Sequence, residues 1–178
     1  AIGGEHLLSH LWDMENLVAG RPTRLHGAQV GVSSCISAAL YQRLINMTQP
    51  VFTEPPSWAD EAERIREEHG ALAEVILPQA RRKHARAGAR VQRLRDHWSH
   101  IQAGLAARRL PTPAQVRQPL IEAGAPHRLA DLGISRQNAA RVFRLARDIR
   151  DRVTVLDLGF ELGLLPNAID DILDEAGV

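Results

Sequence analysis

The sequence predicts an all-α protein. Apolar residues recur at the three- and four-residue intervals of helices along most of the 178 residues, and no convincing run of alternating β-branched residues indicates a strand. Glycine and proline clusters interrupt this periodicity at short intervals, so several helices joined by turns are expected. With 44% hydrophobic residues, the chain can bury the core of a single domain.

Two helices are predicted at the start of the chain. The first spans about residues 5–18 and ends at the turn signal Gly20-Arg21-Pro22. The second begins near His26 and runs to about Met47. Small residues fill its first half, and their size would let another backbone or a ligand come close. These residues are Gly27, Gly31, Ser33, Ser34 and Ser37.

Proline and a capping residue divide the middle of the chain. Ser57 is expected to cap a charged, exposed helix that runs to about Gly70. Pro78 is expected to end or kink the next segment, and a long arginine-rich helix then spans about residues 79–107. The apolar residues of this helix keep the 3-4-3-4 spacing of a buried stripe. They are Val91, Leu94, Trp98, Ile101 and Leu105.

Short helices complete the chain. The first two follow the capping residues Thr112 and Ser135. For the next segment, a strand is the alternative to a helix, because the segment contains the β-branched run Val153-Thr154-Val155. Gly163 at the end of the segment favours the helix. The predicted ranges are 113–124, 136–150, 153–163 and 167–175.

Composition and charge argue against several functions. With 22 basic and 21 acidic residues, the net charge of +1 creates no field that would recruit nucleic acid or an anionic membrane. The arginines of the 79–107 helix are spread around it with little aromatic interleaving, which favours a solvated face over a nucleic-acid patch. No stretch approaches the roughly 18 apolar residues of a membrane span. No secretory signal opens the chain, and the single cysteine, Cys35, reads as a small buried residue, so a cytoplasmic location is expected.

Three histidines near the start form a candidate site. His6 and His10 are four residues apart, so they share one face of the first helix. The turn after that helix lets the second helix run back alongside it and bring His26 to the same place. Because neutral imidazole binds zinc, iron or nickel, this cluster predicts a divalent metal site. The other histidines have no supporting pattern and are expected to be surface or structural residues; they are His69, His84, His97, His100 and His127.

The same residues resemble a known family. The motifs Gly4-Glu5-His6-x-x-x-His10 and Leu25-His26-Gly27, together with the C-terminal run of residues 146–158, resemble sn-glycerol-1-phosphate dehydrogenase. That family belongs to the superfamily of iron-containing alcohol dehydrogenases, glycerol dehydrogenase and 3-dehydroquinate synthase. The resemblance implies a two-domain enzyme, in which an N-terminal Rossmann-like domain binds NAD or NADP and a C-terminal helical domain supplies most of the metal site. Residues 1–178 are expected to be only the C-terminal domain and therefore inactive alone.

The resemblance also implies roles for individual residues. His6 and His26 match the metal-binding histidines, with zinc the favoured metal and nickel or iron as alternatives. A further aspartate ligand would come from a segment before His6. His10 matches an active-site histidine beside the substrate, which implies a catalytic role. Arg150 and Arg152 are candidate donors to the phosphate of dihydroxyacetone phosphate, the small-molecule substrate that the family reduces with NAD(P)H.

Two other functions stay open. A 3-dehydroquinate-synthase-like lyase also uses two histidines four apart, but it usually has glycine where this chain has Glu5. A non-catalytic helical domain could use the same scaffold to bind a partner and would hold no metal. For the dehydrogenase, the expected partners are its own nucleotide-binding domain and a phosphorylated substrate, with a homo-oligomer allowed and no nucleic acid or membrane.

Overall fold

The computed structural model describes residues 3–178, and every regular element in this range is a helix. The predicted all-α class is therefore confirmed. Across the same range, no helix is both long enough and apolar enough to cross a bilayer. Short 3₁₀ turns and loops join the α-helices, which are α1 (Gly4–Val18), α2 (His26–Ile45), α3 (Trp58–His69), α4 (Ala73–His84), α5 (Ala87–Ala107), α6 (Pro113–Glu122), α7 (Arg136–Leu145), α8 (Val155–Glu161) and α9 (Ile169–Ala176).

The second helix, α2, lies at the centre of the fold. It packs against α1, α6, α8 and α9, and its apolar residues four apart face the core. A Cβ atom on Gly31 would lie 3.2 Å from Leu120 Cδ2 in α6, so the small residue there accommodates a neighbouring helix. The group that comes close to Gly31 is therefore a side chain of α6, as the small size of Gly31 allows. The fully buried α2 residues of one stripe are Val32, Ile36, Leu40 and Leu44.

Cys35 lies in the same core, as predicted. Its side chain is fully buried, and burial raises the pKa of the thiol to about 11. Because the thiolate is the reactive form, a thiol with this pKa is unreactive at neutral pH.

The predicted capping residues are confirmed. Ser57, Thr112 and Ser135 each accept a hydrogen bond from the backbone N–H three residues ahead, at 3.2–3.3 Å. Thr154 and Asp157 form a capping box, in which the Thr154 N–H donates to Asp157 Oδ2 at 2.8 Å. This cap begins α8 at Val155, so the helix predicted from residue 153 starts at the last residue of the β-branched run, and no strand forms there.

Pro78 was predicted to end or kink a helix, and it does not end one. Helix α4 continues through it, and the break before α5 falls at Ala85 and Arg86. Proline removes one backbone hydrogen bond from a helix interior. Here the helix buries Ile76 and Leu77 before the proline and Ala80 after it, and that burial outweighs the loss.

A buried ion-pair network ties α3 to the segment that follows α7. Asp148 is 2% exposed and accepts hydrogen bonds from Arg64 Nη2 and His69 Nε2, both at 3.0 Å. Helix α3 was predicted to be exposed, but these charged residues point inward and find partners. Burial acts to raise the pKa of Asp148, yet the His69 hydrogen bond and the charges of Arg64 and Arg147 outweigh it and hold that pKa at about 2.

This network positions part of the candidate site. The 3₁₀ turn that contains Asp148 packs against α1, and Arg150 and Arg152 follow directly after it. His69, expected to be surface or structural, is structural because its ring is buried in the network.

Replacing Asp148 should destabilise the fold in a pH-dependent way. We expect Asp148→Asn to lower the free energy of unfolding at pH 7 by about 3–5 kcal/mol, because it leaves buried cations without their partner. The pKa of Asp148 is about 2 in the folded chain and 3.8 ordinarily, so its ionised form stabilises the fold above pH 4. That contribution is lost as the pH falls through 4 towards 2, and the deficit of the variant should shrink over the same interval in urea unfolding.

Asp151→Asn, which breaks the exposed pair with Arg82, is the control and should change the free energy of unfolding little. A deficit that stays constant from pH 5 to pH 2 would contradict this account.

Candidate metal centre

The first turn of α1 holds His6 in a defined orientation. The Gly3 N–H donates to Glu5 Oε2 at 3.2 Å, and Glu5 Oε1 lies 3.1 Å from His6 Nδ1. Because a carboxylate oxygen accepts and His6 Nδ1 must then carry the proton, the lone pair of His6 lies on Nε2. A carboxylate bonded to Nδ1 is the usual support of a metal-binding histidine.

Glycines let α1 begin deep in the fold. A Cβ atom on Gly4 would lie 2.8 Å from Val155 Cγ1, so only glycine allows α1 to start this close to α8. Gly3 has a φ of +157°, a conformation that other residues rarely adopt. The beginning of α1 is therefore set against the segment that carries Arg152, whose guanidinium Cζ would be 3.5 Å from a Cβ atom on Gly3.

The structure brings the three predicted histidines together. The ring centres are 6.3 Å apart for His6 and His10, 5.6 Å for His6 and His26, and 5.3 Å for His10 and His26. Contacts of Gly4 with Ser37 and of Ser9 with Gln29 show that α1 and α2 run in opposite directions, as the turn at residues 20–22 predicted. The side chains of His6 and His26 are 42% and 47% exposed, so the cluster opens onto the surface.

Asp13 also belongs to this cluster, and the sequence analysis missed it. One ligand atom from each of His10, Asp13 and His26 lies within 4.8 Å of the others, close enough for small side-chain rotations to bring them onto one ion. This tightest group does not include His6, whose ring lies beside it. The helical spacing contained the signal, because Asp13 follows His10 by three residues on the same face.

Buried polar side chains connect His26 to Asp13. His26 Nδ1 lies 2.9 Å from Ser9 Oγ, and Ser9 Oγ donates to Gln29 Oε1 at 2.6 Å. The Gln29 amide in turn donates from Nε2 to Asp13 Oδ1 at 3.0 Å. Ser9 and Gln29 have no solvent exposure, so the connection runs through the contact between α1 and α2.

Positive charge lies next to His10. Burial lowers the pKa of His10, and the nearby charge of Arg150 lowers it further. His10 is therefore neutral near pH 7, the form that can bind a metal or accept a proton. Arg150 Nη1 donates to the Ile149 carbonyl at 2.9 Å. Among residues 3–178, no carboxylate forms an ion pair with Arg150 or Arg152, so no carboxylate there neutralises either guanidinium charge.

Comparison with curated proteins gives two long matches. The chain is 30% identical over 159 residues to the glycerol-1-phosphate dehydrogenase [NAD(P)+] of Geobacillus stearothermophilus and 37% identical over 157 residues to that of Geobacillus thermodenitrificans. Each match covers 88% of this chain. The chain is therefore similar to part of these glycerol-1-phosphate dehydrogenases. A third dehydrogenase of the same name, from Halalkalibacterium halodurans, is 48% identical over 42 residues.

The matches with glycerol-1-phosphate dehydrogenase confirm the resemblance on which the residue roles were based. The chain spans about a third of the length of these relatives, 32% in each of the two long matches. No protein-family model and no solved structure matches the chain.

Proposed function

We propose that this chain is the metal-binding domain of an NAD(P)-linked oxidoreductase that interconverts dihydroxyacetone phosphate and glycerol 1-phosphate. The observation that carries the proposal is the convergence of His6, His10 and His26, with the positive charge of Arg150 close to His10. Homology to dehydrogenases of that name supports it. The nucleotide would bind mainly to a separate N-terminal domain, and a homo-oligomer is compatible with this arrangement.

The donor atoms fit a divalent transition metal. Imidazole nitrogens are common ligands of zinc, nickel and iron(II), and zinc suits them best. In His6 and His26, Nδ1 is the nitrogen bonded to protein, and Nε2 has no hydrogen-bond partner within the described range. The Nε2 lone pairs of His6 and His26 would therefore hold the metal. A bound metal supplies Lewis-acid stabilisation of the negative charge that develops on the substrate oxygen.

The neighbouring residues would act on the substrate itself. Neutral His10 can orient the substrate oxygen or exchange a proton with it. When bound, NAD(P)H would supply the hydride for the carbonyl carbon. Arg150 and Arg152 can form charge-assisted hydrogen bonds with the phosphate. Because His6 and His26 are half exposed, a second domain would be needed to exclude water from the cluster. The 178-residue chain alone is therefore expected to be inactive.

Metal binding to the 178-residue chain tests the proposed centre. We expect zinc to bind weakly, with further ligands supplied by another domain, in isothermal titration calorimetry. His6→Ala and His26→Ala should each weaken binding by more than the roughly 10–100-fold that the loss of an outer-shell partner costs, because each variant removes a ligand.

His100→Ala is the matched control, because His100 is an exposed histidine on α5. Equal zinc binding by the His26→Ala and His100→Ala variants would contradict the assignment of His26. Complete absence of zinc binding, even with the nucleotide domain present, would favour the non-catalytic alternative.

Steady-state kinetics of the protein that includes the nucleotide domain tests the substrate. Arg150→Ala should raise the KM for dihydroxyacetone phosphate roughly 10–100-fold, the equivalent of one hydrogen bond to a charged group, and leave the KM for NAD(P)H almost unchanged. Arg93→Ala, on the exposed face of α5, is the control. No turnover of dihydroxyacetone phosphate by the metal-loaded enzyme would disprove the substrate assignment, and release of phosphate from a seven-carbon substrate would indicate the lyase instead.

A further inference from the structure

We infer that Ser9 and Gln29 are positioning residues that make His26 present its Nε2 atom to the metal, and that Asp13 acts through them and is not itself a ligand. The inference rests on the proposed function, because it concerns the same centre. It assigns roles to three residues that the histidine motifs do not include.

The direction of each hydrogen bond follows from Asp13. A carboxylate offers only acceptors, so the Gln29 atom that faces it at 3.0 Å is the amide nitrogen. The carbonyl oxygen of Gln29 then faces Ser9, 2.6 Å from its Oγ, and must accept the hydroxyl hydrogen. Ser9 has only one hydrogen to donate. Its oxygen can therefore only accept from His26, which places a proton on His26 Nδ1 at 2.9 Å.

Burial makes this arrangement restrictive. Ser9 and Gln29 are fully buried between α1 and α2, so water cannot replace a lost partner. If the proton of His26 moved to Nε2, Nδ1 and Ser9 Oγ would face each other as two acceptors, unless Ser9 gave up its bond to Gln29. Either change leaves a buried polar group unpaired, which is unfavourable. The network thus favours the tautomer in which His26 Nε2 is the free ligand atom.

The position of Asp13 decides whether it is a metal ligand or a residue that supports His26. The atoms of His10, Asp13 and His26 lie close enough to share an ion, so proximity alone would make Asp13 a ligand. However, Asp13 Oδ2 lies 3.9 Å from His26 Nδ1, on the side of the ring where Ser9 already occupies the nitrogen. An ion bound to Nε2 of His26 lies on the opposite side of that ring. Asp13 therefore acts on the Nδ1 side of the His26 ring, opposite the side that would bind the metal.

His6 is also supported at its Nδ1 atom, but without an intervening residue. Its Nδ1 atom donates directly to the buried carboxylate of Glu5, and none of residues 3–178 forms a hydrogen bond with its Nε2 atom. Both predicted metal-binding histidines are thus supported at Nδ1 by an acceptor from α1, one directly and one through a relay. Such supports fix the tautomer and the orientation of metal-binding histidines.

Nitrogen-15 NMR of the metal-free 178-residue chain at pH 8 tests the relay, because it reports which ring nitrogen of His26 carries the proton. The wild type should show Nδ1–H. Ser9→Ala removes the acceptor, and Gln29→Leu frees the Ser9 hydroxyl to donate to the ring, so both variants should shift His26 towards Nε2–H. Zinc affinity, measured by calorimetry on the same samples, should fall about 10–100-fold in both variants.

Ser33→Ala is the matched control, because Ser33 is another fully buried serine whose hydroxyl donates to the Gln29 backbone carbonyl at 2.7 Å. It should change neither the tautomer nor the affinity. An Nε2–H ring in the wild type, or a tautomer that Ser9→Ala and Gln29→Leu leave unchanged, would overturn the inference. If the tautomer shifts as expected but wild-type protein completed with its nucleotide domain takes up no zinc, the proposed function fails instead, and with it the role of the relay in metal binding.

Discussion

The contact between α1 and α2 contains a fully buried hydrogen bond, from Ser9 Oγ to Gln29 Oε1, among apolar side chains. A buried polar pair is stable only if both members keep their partners, so it fixes how the two helices align. That alignment places His26 beside His10 and His6. A slip of one residue along either helix would break the pair and disperse the rings. Most of the geometry of the candidate centre depends on this one interaction.

A second constraint comes from the other side of α1. The buried network around Asp148 anchors the segment between α7 and α8, which leads into Arg150 and Arg152. Ion pairs of this kind stabilise a fold little compared with apolar packing, but losing one member is costly because the partner stays buried and charged. The network therefore defines one position for that segment. Arg150 consequently lies near His10, although the two residues are far apart in the sequence.

Local signals in the sequence predicted much of this structure. The helical class, the caps at Ser57, Thr112 and Ser135, and the return of the second helix alongside the first all follow from short-range patterns. Long-range contacts explain the errors. The charged residues of α3 were expected to face solvent, yet Arg64 and His69 find Asp148 some 80 residues away, a partner that no local pattern identifies.

The same contrast between local signals and long-range contacts applies to the candidate site. Helical spacing and the resemblance identified His6, His10 and His26, but neither identifies the residues that support them. Ser9 and Gln29 resemble ordinary small or polar helix residues until α1 and α2 are packed together. Asp13 was detectable by its spacing from His10, although its role depends on which side of the His26 ring it occupies.

The central claim is that histidines of α1 and α2 form one metal centre, and zinc X-ray absorption spectroscopy of the zinc-loaded 178-residue chain tests it most directly. We expect nitrogen and oxygen ligands at about 2.0–2.2 Å with outer-shell scattering from two imidazole rings, one of which disappears in the His26→Ala variant. A first shell of oxygen atoms alone, or a spectrum that the His26→Ala substitution does not change, would contradict the claim.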